Sequence, residues 1–291
     1  AAALLLNVTG KNYGNTFGYF SASTELSANP SVNLVAETTK KDLPSFGIEC
    51  KAKYQNYHIY ENKNKAFNAD IFHFSGEIYL YNTILKHGHI GFGLQQEYYN
   101  GDIFSKKNNS LISLEKTNNW LTNAHLSFSL DNMDDYYFPV KGTNLYAELT
   151  CYADLSNKNE FTPAILFKMK NVIPLNQNIA LLVDLYGRTL HNHEFPWPKT
   201  TVIGGESYSQ YFNYHLPFAG LPPVNIADRF AYIALAGLRV KVSKKQYMSF
   251  LFNSLQQGNK MFNLNKPDAV YGGGIKYSLK SIVGPVDITM G

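Results

Sequence analysis

The sequence predicts an all-β fold, an antiparallel transmembrane β-barrel. Three observations carry that expectation. Apolar and polar residues alternate along almost the whole chain, charged residues are scarce, and no apolar run could form a membrane helix. Of 291 residues, 16% are charged and 45% hydrophobic, with 21 Tyr and 19 Phe; soluble domains carry roughly 25% charge. Mean hydropathy is nevertheless negative, at -0.24. The longest near-apolar stretch, Phe230 to Leu238, falls well short of the about 20 residues a spanning helix needs. Strands with one face in lipid and the other in water average to such a value.

Fourteen segments alternate with a period of two, near Ala3–Thr9, Phe17–Leu26, Val32–Thr38, Phe46–Tyr54, Phe72–Tyr81, His89–Tyr98, Leu121–Asp131, Thr143–Tyr152, Phe161–Ile173, Ile179–Leu190, Arg229–Val242, Tyr247–Asn253, Ala269–Leu279 and Val286–Met290. In the fifth, Phe74, Ile78 and Leu80 oppose His73, Ser75, Glu77 and Tyr79. Successive side chains of a strand point to opposite faces, so each segment has one oily and one wet side. Short connections such as Pro174–Asn178 and Ser243–Gln246 are interleaved with long polar ones: Gly101–Trp120, Ser156–Glu160, His191–Asp228 and Gln256–Asp268. That asymmetry is the layout of an outer-membrane barrel. The segment Ser105–Asn119, rich in Lys and Asn, reads as a hydrated outer loop able to touch lipopolysaccharide.

Alternation alone also fits a soluble sandwich. Two features favour the membrane. Charges stand in mid-strand at Glu77, Lys168, Lys170, Asp184, Arg188 and Arg239, where a packed core would penalise them and a water-filled interior would not. Aromatic residues gather near strand ends (Tyr54, Tyr57, Tyr60, Tyr79, Tyr81, Tyr98, Tyr99, Trp120), as in the interfacial girdles of membrane proteins. The net charge of +4 comes with no basic run, so nucleic acid is not an expected partner. Cys50 and Cys151 lie on apolar faces of strands that are not neighbours, which predicts two unpaired, lipid-facing thiols.

Three segments go beyond patterning: Ser129–Thr143 (SLDNMDDYYFPVKGT), Gly272–Thr289 (GGGIKYSLKSIVGPVDIT), and the long connection holding Val202–Ser207 (VIGGES) and His215–Leu221 (HLPFAGL). At these places, in this order, the chain resembles the C-terminal barrel of the bacterial surface antigen superfamily. That BamA/TamA-type family inserts or secretes outer-membrane proteins and also forms the barrels of patatin-like phospholipases. Phe138, Pro139 and Gly142 look like the family's FP-x-x-G turn, and Gly284 and Pro285 like its terminal GP turn. The resemblance implies a sixteen-stranded barrel in the outer membrane of a Gram-negative bacterium, a single barrel domain over 1–291, and lipid, lipopolysaccharide and attached or associated outer-membrane or periplasmic proteins as partners. Fourteen segments against sixteen make the expected record a fragment, with the first and last strands beyond its ends.

The chain departs from the family at the loop. Relatives carry an Arg in a V-R-G-(F/Y) motif that meets acidic residues on the following strands. Here the segment reads Gly204-Gly205-Glu206, and the matching strand positions look like Arg239 and Asn253. Losing the whole set leaves no stranded charge, and two readings of Glu206 stay open: a reversed lock with Arg239, or a solvated loop residue. The Ile203–Gly205 and Pro217–Leu221 segments look more like patatin-linked barrels. The patatin nucleophile motif G-x-S-x-G is absent, since Ser209 stands where its second Gly would be.

Remaining polar groups read as ordinary. His125 and Ser127 share a face, opposite Leu126 and Phe128, that points into the lumen with no third orienting group. His191-Asn192-His193-Glu194 lacks the helical i, i+4 spacing of zinc motifs, and His87-Gly88-His89 is weaker still. No catalytic residue, cofactor or metal is expected. The leading expectation is a membrane anchor or translocation unit whose His191–Asp228 loop plugs the lumen. Alternatives are an insertase or secretion pore, a passive diffusion channel, and a soluble all-β binding protein.

Overall fold

The computed structural model describes all residues except 1–3, 13–16, 40–42, 62–63, 108–109, 155–160, 192–195, 206–213, 223, 259–267 and 282–283. The long strands are β1 (Leu4–Asn12), β2 (Phe17–Leu26), β3 (Ser31–Thr39), β4 (Ser45–Glu61), β5 (Asn64–Leu85), β6 (Gly88–Lys107), β7 (Ser110–Asp131), β8 (Gly142–Asp154), β9 (Phe161–Pro174) and β10 (Ile179–Leu190). Three two-residue strands follow within one connection: β11 (Val202–Ile203), β12 (His215–Leu216) and β13 (Asn225–Ile226). The long strands resume with β14 (Phe230–Ser243), β15 (Gln246–Gly258), β16 (Asp268–Ser281) and β17 (Gly284–Met290). Every one of the fourteen alternating segments is therefore a long strand.

The chain divides into two compact units. The first comprises Ala1–Phe128, Glu148–Ala164 and Asn192–Lys199; the second comprises Ser129–Ala147, Ile165–His191 and Thr200–Gly291. In the first unit, β1 to β6 form an antiparallel meander in which each strand pairs with the next. In the second, β10 pairs antiparallel with β14 across the long connection, and β14 to β17 continue the meander.

Both units are inside out relative to a soluble protein. In the first, Phe74, Ile78 and Leu80 are exposed, whereas His73, Ser75 and Glu97 on the opposite faces are buried. In the second, Phe250 and Phe252 are exposed while Ser249 and Asn253 are buried. A sandwich would bury the apolar faces, so this burial pattern rejects the soluble alternative. Cys50 and Cys151 are exposed, free thiols on the apolar faces. On the polar face of the second unit, Val172, Ala180 and Leu182 form a small apolar cluster, with Met133, Leu235 and Leu251 packed on it.

Two expectations need correction. The Ser105–Asn119 segment is not a loop: β6 runs to Lys107 and β7 starts at Ser110. β4 and β5 are likewise longer than alternation indicated, at 17 and 22 residues, where about 9–11 residues cross a bilayer. The reason is visible on the outward face. It is apolar from Phe46 to Tyr54, then polar at Asn56 and His58, and β6 changes from Ile90–Tyr98 to Asn100. Past that level the pattern inverts: the outward positions are polar while the inward ones carry buried Tyr57, Ile59, Ala69, Ile71 and Ile103, so the lipid-type stripe ends while pairing continues.

The second correction concerns the aromatic girdle. Tyr54, Tyr98 and Trp120 share the outward face, and the last two rings lie 4.8 Å apart. Tyr57 and Tyr99, however, are buried on the polar face. Tyr79 also turns inward, where it covers Gly47 and donates to Glu37 at 2.5 Å; Tyr81 stacks beside it. These rings have polar partners, which offset the cost of facing away from lipid.

Candidate functional site: a loop docked on the polar face

The connection between β10 and β14 is folded, not extended. It begins with a 3-10 turn, Trp197–Lys199, closed by the Lys199 amide donating to the Pro196 carbonyl at 2.9 Å. β11 then pairs parallel with β12 and antiparallel with β13, making a three-stranded miniature sheet within the second unit. Gly204 N–H donates to Leu216 O (3.0 Å), Gly205 N–H to Leu221 O (2.9 Å) and Phe218 N–H to Gly205 O (3.0 Å). His215, Leu216 and Phe218 are fully buried. The His215 Nε2–H donates to Gly204 O at 2.7 Å. Burial favours the neutral imidazole and pushes His215 down to about 4.

Glycines make this conformation accessible. Gly204 has φ +110° and Gly205 φ +61°, left-handed regions that Cβ disfavours. A Cβ on Gly204 would also run into the Pro222 carbonyl oxygen.

The loop rests on the polar face of β15 and β16. Asn253 Nδ2 donates to Ala219 O at 3.0 Å. The Phe218 ring and Ala219 carbonyl lie over Gly272, where any Cβ would come within 2.5 Å of Phe218 Cε1. The glycine run Gly272–Gly274 is thus a groove that admits another backbone.

From the other side of the same unit comes the 132–141 turn. Asp134 Oδ1 accepts the amides of Val140 and Lys141 (2.9 and 3.1 Å), and Asp135 Oδ1 those of Tyr137 and Phe138 (2.9 and 3.0 Å). Phe138 stacks on Tyr247 with centroids 5.3 Å apart, and Arg239 Nη1 donates to Pro139 O at 2.7 Å. Asp135 pairs with Lys280 at 2.6 Å. That ammonium and the two amides hold the Asp135 carboxyl down to about 2. Gly142 ends the turn at φ +119°. Between turn and loop lies a cavity of about 390 Å³ lined by Lys170, Asp184, Phe218, Arg239, Lys276 and Asp287 among others. Lys276 and Asp287 pair across it at 3.0 Å.

The sequence-derived site residues fall as follows. Gly204, Gly205 and Asn253 belong to the docked loop and its seat. Phe138, Pro139 and Gly142 belong to the turn below it, which Arg239 of β14 reaches at Pro139 O. Gly284 opens β17 with φ +120°, its carbonyl accepts Ser281 Oγ at 2.6 Å, and Pro285 follows it in the strand. Glu206 lies outside the described residues, as do Asn192, His193 and Glu194; His191 is exposed. His125 sits on the polar face, 3.3 Å from Glu77, which corrects the expectation that no third group orients it. Ser127 faces the same way, against Gly91.

Sequence reading missed a second fastening, in the first unit. Lys199 Nζ lies 2.9 and 2.8 Å from the two carboxylate oxygens of Glu97. No motif marks either residue, and 102 positions separate them.

Solved structures share this architecture. BamA from Haemophilus ducreyi lacking POTRA domains 1–3 superposes with a TM-score of 0.66 at 12% identity, over 99% of this chain and 66% of that one. CdiB from Acinetobacter baumannii gives a TM-score of 0.57 at 8% identity, over 99% of this chain and 52% of that one. The chain thus spans between half and two thirds of each. No curated protein matches it in sequence. The likeness establishes the β-barrel fold, and the OMP85 superfamily pattern matches residues 38–291: on that match, together with the inside-out strands, the chain belongs to the OMP85 superfamily.

Proposed function

We propose that this chain is the membrane-embedded unit of a larger outer-membrane protein, serving as C-terminal anchor or translocation unit, with a lumen held closed by its own loop. The observation that carries this reading is the docking of Ala219 and Phe218 onto Asn253 and Gly272. This seat in the second unit is neutral and backbone-mediated, so leaving it strands no charge there. The OMP85 barrel is not an enzyme fold, so any hydrolase chemistry would reside in an attached domain. The Ile203–Gly205 and Pro217–Leu221 segments support a patatin-like attached domain. Lipopolysaccharide and the outer membrane of a Gram-negative bacterium are the matching surroundings. An insertase reading is less favoured, because the loop carries no Arg between Gly204 and Leu221.

Planar-bilayer conductance tests the reading. The intact barrel should be almost silent, and deletion of residues 200–228 should give steady channels. Steady conductance of the intact barrel would identify a diffusion channel instead.

A further inference from the structure

We infer that Lys199 and Glu97 form the latch that positions the long loop, a charged fastening on β6 in place of one on the strands after the loop. The inference rests on the closed-lumen reading above and names the side chains that hold that state.

The geometry is that of a built receptor for one ammonium group. Lys199 meets both oxygens of the Glu97 carboxylate, and both side chains are more than nine-tenths buried. Glu97 is held from every remaining side. Tyr99 donates its hydroxyl to Oε1 at 3.0 Å, Asn123 Nδ2 donates to Oε2 at 3.2 Å, and His73 Nε2 lies 3.3 Å from Oε1. His73 in turn stacks on Tyr99, with centroids 4.3 Å apart and planes 9° from parallel. The Lys199 ammonium lies 5.5 Å from the Tyr99 ring and 5.0 Å from the Tyr152 ring, within cation–π range. Lys53 of β4, the cross-strand partner of His73, and Asp154 of β8 complete the charged surroundings on this face.

The carboxylate is thus oriented on β6 independently of the loop, by groups on β5, β6 and β7. Lys199 comes from the loop, on the 3-10 turn that Pro198 stiffens. A buried pair differs from a surface pair in one respect that matters for a latch: removing one partner leaves the other uncompensated, whereas removing both does not.

A double-mutant cycle in planar bilayers tests this, with heat-modifiable gel migration to confirm that each variant is a folded barrel. Lys199→Met and Glu97→Gln should each raise open probability by at least about tenfold. The double variant should be less open than either single one, because no unpaired charge remains. If both single variants are folded and as silent as the parent while deletion of 200–228 conducts, the latch is wrong and the plug stands. Effects that simply add in the double variant also reject the latch. If the deletion fails to conduct, plug and latch fall together.

Discussion

The loop is fastened twice, by different physics. In the first unit one ammonium is buried against one carboxylate, inside a shell of Tyr99, Asn123 and His73. In the second unit the loop is seated by backbone carbonyls, a neutral Asn253 and the bare surface of Gly272. The ionic fastening concentrates its energy in two side chains and fails as a unit. The neutral one spreads its energy over many small contacts and should loosen by degrees. A plug fastened both ways has a defined closed position, and its release separates one buried ion pair in the first unit and none in the second.

That contrast predicts a hierarchy of effects. The largest should come from Glu97→Ala, which takes away the carboxylate that Lys199 meets beside the aromatic rings. Docking of the Trp197–Lys199 turn should weaken by about 3–5 kcal/mol, read as amide hydrogen exchange there. In the second unit, Gly204→Ala should cost about 1–3 kcal/mol, since φ +110° and the Pro222 carbonyl both exclude a side chain. Gly205→Asn should be nearly silent, because φ +61° is open to Asn. Protease cleavage between 200 and 229 distinguishes the two; equal rates would dissolve the assignment of strain to Gly204.

Asn253→Ala should be milder, about 1–2 kcal/mol for one lost hydrogen bond to Ala219, measured by the same cleavage assay. His215 adds a pH dependence to the neutral seat. Its folded value of about 4 lies below the ordinary 6.5, so the undocked loop takes up a proton first. Stabilisation is complete above pH 6.5 and is lost as pH falls through about 4. Cleavage in the second unit should therefore accelerate across that window, and His215→Gln should abolish the acceleration.

The smallest effect concerns the turn. Asp135, held at about 2 by Lys280 and two amides, contributes stability present above the ordinary 3.8 and lost as pH falls through about 2. Lys280→Ala should return the carboxyl towards its ordinary range in an NMR titration. Because Asp135 and Lys280 are partly exposed, little global stability should change.

Much of the docking site could be read before the structure. The glycine-rich β16 segment and the FP-x-x-G turn were marked by an ordered set of motifs, and Asn253 by a strand position at which the chain departs from the family. Their roles follow from backbone geometry, which short sequence motifs record: Gly142 and Gly204 need left-handed φ, and Gly272 must leave room for Phe218. The extensions of β4 to β6 were not legible, because past Tyr54 and Tyr98 the outward face turns polar and the buried face apolar, as at Ile59, Ile71 and Ile103, so the alternation changes phase.

The sequence by itself determined the strand set and the face that meets lipid, since alternation is a local property and every segment carries its own. Only the tertiary structure decided which groups meet on the wet face. Glu97 and Lys199 are 102 positions apart, and their union depends on how β5, β6 and β7 lie in register and where the 3-10 turn returns. Hydrophobic patterning is indifferent to that choice, because every polar side chain on that face satisfies it equally well.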